Sequence, residues 1–156
     1  MNFRSLQKQF KWKPLNGQKD KYVTYIIVSK KAVWRLVGTS DILYIGQTKQ
    51  SISKRYNQEI NTYNTVNKTQ NTNIRMTHIL TQLNLDNITC YFIKDLEFTL
   101  QDKEKKSFVK NLRTWDNAYF IKNFSDEPPK KVNIEKFLLV NYAAKHLELP
   151  PLNNSF

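Results

Sequence analysis

The sequence predicts an α/β chain of the α+β kind: a small three-stranded, mostly antiparallel sheet flanked by helices. Three observations predict it. Runs rich in β-branched and aromatic residues at 21–29, 41–46 and 87–98 read as strands. The link between the first two is too short for a helical crossover, so they pair as an antiparallel hairpin. Two stretches, from Ser51 onward and over 133–149, carry the apolar spacing of helices.

Taken in order, residues 1–20 are basic with interspersed aromatics: Phe3, Arg4, Lys8, Phe10, Lys11, Trp12 and Lys13. They read as a basic N-terminal arm reaching toward nucleic acid, or equally as a short helix packed on the domain. Pro14, Asn16 and Gly17 mark a turn. Residues 21–156 form the single domain expected of this length. "KYVTYIIVS" is its first strand; the following residues extend it and turn back near Gly38; "DILYIG" is the second strand. Ser51 is a candidate N-cap for the next helix, where Ile52, Tyr56 and Ile60 share a face. The Asn/Thr-rich segment 61–73 has no apolar period and reads as a loop or polar insertion. Residues 74–84 read as a short helix and 87–98 as the third strand. The region 99–130 reads as an insertion, with a turn of helix, a loop, and an extra strand at 118–124. Asn133 is the expected N-cap of the helix over 133–149.

Composition narrows the function. There are 25 Lys and Arg against 13 Asp and Glu, a net charge of +12, the footprint of a protein that meets polyanions. The single cysteine, Cys90, excludes an internal disulfide and reads as a buried thiol. One cysteine and two separated histidines, His78 and His146, do not make a Cys/His zinc site. No run approaches a membrane span and no secretory segment opens the sequence, so an intracellular, cytoplasmic protein is expected.

The motifs come next. "VTY" at 23–25 and "YIG" at 44–46 lie on the paired strands; Arg55 follows on the first long helix; Glu135 opens the late helix; "PPLNN" closes the ordered set at 150–154. Singly, these residues have plain readings. Strand tyrosines are usually core residues, Arg55 a solvated helix charge, Glu135 a helix N-terminal charge, and the prolines a helix stop. In this order and spacing the chain resembles the GIY-YIG nucleases.

That resemblance implies a metal-dependent endonuclease hydrolysing phosphodiester bonds in double-stranded DNA. Tyr25 and Tyr44 would line the active site, with Tyr25 the preferred acceptor of the proton from the attacking water. Arg55 would stabilise phosphate charge, Glu135 would hold one divalent metal (Mg²⁺, with Mn²⁺ able to substitute), and Asn153, or Asn154, would finish the site. The chemistry suits the residue types. Arg is a permanently charged fork of donors for phosphate oxygens. A hard cation prefers oxygen ligands, and Mg²⁺ needs only one or two carboxylates when water and substrate phosphate supply the rest. A tyrosine base needs nearby positive charge to bring its pKa down from ~10. Gly46 would leave room for a phosphate to approach. Lys30, Lys31, Arg35, Lys49, Lys54 and Lys68 are further candidate DNA contacts, supplying sequence-independent affinity.

Two features depart from the family pattern. The first motif reads Val-Thr-Tyr, keeping only the tyrosine. Glu59 stands one helical turn after Arg55, where many members carry His or Tyr. It would lower the effective charge of Arg55, assist the metal, or leave proton transfer to Tyr25. The insertions, without a separate DNA-binding domain, resemble small restriction endonucleases of type II, which are sequence-specific and often dimeric; a homodimer is an open option. The alternative is a catalytically silent nucleic-acid-binding module on the same fold. A basic structural protein is a third reading, which predicts that the five site residues lie apart.

Overall fold

The computed structural model describes residues 1–66, 87–94, 100–116 and 133–153, without the side chains of 62–66. In chain order its elements are α1 (Phe3–Gln9), β1 (Lys13–Pro14), β2 (Val23–Trp34), β3 (Thr39–Thr48), α2 (Ile52–Val66), β4 (Ile88–Lys94), α3 (Asp102–Trp115) and α4 (Ile134–His146). The architecture is α+β. The expected helix at 74–84 with His78, the strand at 118–124, Lys68 and Asn154 lie outside the described residues.

The strands form one antiparallel sheet in the order β1-β4-β2-β3. Among the described residues it has four strands, where three, with an extra one at 118–124, were expected. The addition is the two-residue β1, where Lys13 faces Phe92 and Pro14 faces Tyr91. Proline cannot donate to a ladder and so suits this outer position; read in sequence it signals only a turn. The β2–β3 hairpin sets Tyr25 opposite Gly46 and Ile27 opposite Tyr44. Its turn uses Gly38 at φ +71°, a left-handed conformation that favours glycine.

Strand alternation gives the sheet two apolar faces. Ile26, Val28, Ile42, Ile45 and Ile93 pack with α1, α3 and α4, burying Phe3, Leu6, Phe108, Leu112, Leu138 and Tyr142. Val23, Tyr25, Ile27, Leu43, Cys90 and Phe92 pack with Ile52 of α2 and with Leu152. Cys90 is buried, and desolvation pushes its thiol up to about 12.

Of the two readings of the N-terminal stretch, the packed short helix holds and the free arm does not: Phe3, Leu6 and Phe10 are buried against the larger core, at helical spacing. Two further expectations need correction. The 61–73 insertion does not begin at 61, because α2 runs on to Val66. Within 99–130, residues 102–115 form a full helix rather than a single turn. Its start is fixed by Gln101 N–H donating to Glu104 Oε2 at 2.7 Å, and only Phe108 and Leu112 of its side chains are buried.

The late helix starts as expected. Asn133 Oδ1 accepts from Lys136 N–H at 3.0 Å. It ends earlier, at His146, where Leu147 takes a left-handed φ of 58°. Lys136 Nζ and Asp116 Oδ2, 2.7 Å apart and mostly buried, tie α4 to the end of α3. Among the described residues, no helix is long and apolar enough to cross a membrane.

Candidate active site

Tyr25 and Tyr44 come from neighbouring strands and project to the α2 side of the sheet, their ring centroids 5.6 Å apart. Gly46, two residues after Tyr44, shares that face. A Cβ there would sit 2.5 Å from Tyr44 Cε1 and 2.9 Å from its hydroxyl oxygen. The space left by the missing side chain is therefore filled by the Tyr44 ring. This corrects the expected reason for Gly46: it makes room for a tyrosine of its own strand rather than for a phosphate.

Helix α2 completes the group. Ile52 anchors it in the apolar layer, and its first turn is tied down by Ile52 N–H donating to Asp20 O at 2.9 Å. Arg55 and Glu59 then fall one turn apart on the same side. Arg55 Nε donates to the Tyr25 hydroxyl at 3.2 Å; that hydroxyl donates to Glu59 Oε1 at 3.3 Å; and Arg55 Nη2 is paired with the same Glu59 oxygen. The three groups close a ring of hydrogen bonds. Glu59 is the member that no fixed role was assigned from sequence, although its i+4 spacing from Arg55 was the signal.

The electrostatics follow from burial. Tyr25 is fully buried, and desolvation drives its phenol well above the usual tyrosine range, with Tyr44 and Glu59 adding to the rise. Arg55 works against this shift and loses. Among the protein's own groups, the charge of Arg55 does not offset burial, so the phenol is held in its neutral form, donating to Glu59 and accepting from Arg55. Tyr44 is half-buried and likewise raised by desolvation. Burial opposes the charge of Arg55, but its bond to Tyr25 and the charge of Glu59 outweigh it, so the guanidinium is held firmly cationic. The Arg55 side chain is 35% exposed against 12% for Glu59, so an anion in solvent can still reach it.

Asn153 lies beside this group. Its Oδ1 accepts from Ile45 N–H at 2.9 Å and its Nδ2 donates to Ile45 O at 2.7 Å. Both bonds grip the residue between Tyr44 and Gly46, so Asn153 holds the strand that carries them.

Glu135 is half-buried in the first turn of α4, in the layer across the sheet from α2. The Tyr142 hydroxyl meets Ile42 O at 3.5 Å and His146 Nδ1 meets Val37 O at 2.8 Å, so α4 runs opposite to β3. Seven residues back from Tyr142 is ~10 Å of helix, or about three strand residues, which brings Glu135 level with Ile45. The structure joins Tyr25, Tyr44 and Arg55, sets Asn153 against their strand, and leaves Glu135 at the same end of the sheet on its other side. Among the described residues no three His, Cys, Asp or Glu side chains gather as a full metal cage. Glu135 is nonetheless an oxygen donor of the kind a water-rich Mg²⁺ accepts.

Of the basic candidates, Lys30, Lys31, Lys49 and Lys54 are exposed. Arg35 is not available. Its side chain is 7% exposed, paired with Glu148 at 2.8 Å and donating to Leu149 O at 2.6 Å. It ties the hairpin to the chain beyond α4 instead of facing solvent. His146 is also structural, buried between Val37 O and Met1 O. Comparisons of the chain with protein-family models, curated proteins and solved structures find no match in any of the three.

Proposed function

We propose that this chain is a metal-dependent DNA endonuclease with a GIY-YIG-like active site, sequence-specific in the manner of a type II restriction enzyme. One observation carries the reading: two phenols and a guanidinium, from two strands and a helix, converge, with the Tyr25 and Tyr44 rings 5.6 Å apart and Arg55 bonded to the Tyr25 hydroxyl. The net charge of +12 supports a polyanionic substrate.

In this reading Arg55 takes a non-bridging phosphate oxygen, offsetting the charge that builds there during hydrolysis. Tyr44, half-exposed beside it, donates to the same phosphate. Tyr25 acts indirectly: buried and neutral, it fixes the orientation of Arg55. Glu135 lies across the sheet from Arg55 but level with Ile45 of the edge strand β3; a Mg²⁺ or Mn²⁺ that it held would meet the phosphate around that edge, and would polarise it and acidify a bound water. Asn153 keeps Tyr44 and Gly46 in place.

A second reading, a catalytically silent nucleic-acid-binding module, is favoured by Glu59. Its carboxylate already pairs with Arg55, which reduces the positive charge left for a phosphate.

Supercoiled plasmid incubated with Mg²⁺ or Mn²⁺ separates the two. Nicking or linearisation is expected, falling at least about 100-fold in Arg55→Ala and Glu135→Ala, with Glu135→Ala still binding DNA. Binding without cutting under either metal would establish the silent module. Absence of both would remove the DNA reading. Sequencing fragment ends would give the recognition site.

A further inference from the structure

The β2–β3 hairpin continues past the packed part of the sheet. Between Val28 and Val33 the register shifts: β2 advances five residues while β3 covers two, from Val28↔Ile42 to Val33↔Ser40. Beyond that irregularity the tip exposes Trp34, Leu36 and Val37 to 85%, 73% and 44%. Leu147, 53% exposed, stands beside them, because the preceding His146 bonds Val37 O and Leu36 N–H donates to Glu148 Oε1 at 2.7 Å.

The tip is braced. Arg35 bonds Glu148 and Leu149 through its side chain and Gly38 O through its backbone N–H. Its apolar residues are thus presented on a fixed support. A group of large apolar side chains left in water on a rigid element marks a contact surface, whereas scattered single ones do not.

Charge identifies what it contacts. Lys30 and Lys31 are exposed on β2 below Trp34, and Lys145 is exposed beside Leu147. The acid at the tip, Glu148, is neutralised by Arg35. An apolar patch rimmed by cations suits a polyanion that also offers flat apolar faces, which describes the phosphates, sugars and bases of DNA. A second copy of this chain would bring like charge to like. From Tyr25 to Trp34 is nine residues, at most ~30 Å of strand, or about nine base-pair steps. One duplex can therefore meet both the active site and the tip.

We propose that the hairpin tip is a second DNA-contacting surface, with Trp34 against bases or sugars and Lys30, Lys31 and Lys145 on phosphates. The proposal rests on the DNA reading above and adds an anchoring site to it.

The test is fluorescence anisotropy of a labelled duplex of about 30 base pairs without metal, using wild type, Trp34→Ala and Lys30→Ala/Lys31→Ala. Trp34→Ala is expected to weaken binding about tenfold at unchanged thermal midpoint. The double lysine variant should lower the slope of log affinity against log salt by about 2. If wild type binds DNA and Trp34→Ala binds equally well, the tip proposal fails and the active-site reading stands. If wild type binds no DNA, both fail. Trp34-dependent binding to phosphatidylserine vesicles, or Trp34-dependent dimerisation by light scattering, with no Trp34 effect on DNA, would reassign the surface and overturn the proposal.

Discussion

The two faces of the sheet differ in kind. The face covered by α1, α3 and α4 carries the larger apolar core, with rings such as Phe10, Phe108 and Phe137 packed edge-on or tilted. The α2 face has a smaller apolar patch and spends the rest of its area on Tyr25, Tyr44, Arg55 and Glu59. The difference teaches that apolar burial and the polar, charged cluster are divided between layers. A hydrogen-bonded ionic ring is nearly neutral in net stability compared with an apolar filling of the same volume. It is tolerable only because the other face supplies the burial.

That division can be broken at the large face first. Phe108→Ala should cost about 3–5 kcal/mol in urea unfolding, by loss of burial and the cavity left behind. DNA binding by the folded fraction should be unchanged; a smaller cost would show that α3 contributes little to the core.

On the α2 face the next effect is steric. Gly46→Ala should cost about 1–3 kcal/mol, because the new Cβ displaces the Tyr44 ring. In a Tyr44→Ala background the same change should cost less than about 0.5 kcal/mol. Equal costs in the two backgrounds would mean that Gly46 is needed for some other reason.

The smallest effect sharpens the electrostatics. Tyr25→Phe removes a hydroxyl with two partners and should cost about 1 kcal/mol near neutral pH. The pH dependence has a definite sign. Folding raises the Tyr25 pKa above its unfolded value near ~10, so its contribution is complete below pH 10. Above that the unfolded chain releases a proton that the folded chain retains, and stability falls as pH rises. Tyr44 and Tyr142 are shifted the same way, so Tyr25→Phe should flatten the alkaline loss without abolishing it. Urea midpoints from pH 8 to 11 measure this, and an unchanged slope would contradict the buried neutral phenol.

The antiparallel hairpin was legible in the sequence, because its link is too short for a helical crossover; the meeting of its tyrosines was implied by the family resemblance, and the register shifts within the hairpin were announced by neither. The start of α4 was legible from Asn133, a local signal. Helix α3 was not, since its two buried side chains are outnumbered by charges that face solvent and its core partners lie far along the chain. The same holds for Arg35: a surface-type residue was buried by a carboxylate over a hundred positions away, which no local pattern announces. The role of Gly46 was misread because glycine leaves space without recording what fills it.

One last consequence concerns the outer rim of β3. Leu152 N–H bonds Leu43 O at 2.9 Å, and the amide of Asn153 engages both backbone groups of Ile45. A side-chain amide here imitates the next strand of the sheet. Unsatisfied strand rims template the addition of foreign chains and the growth of aggregates. The segment that steadies Tyr44 thereby also covers this rim of the sheet at Leu43 and Ile45 against such addition.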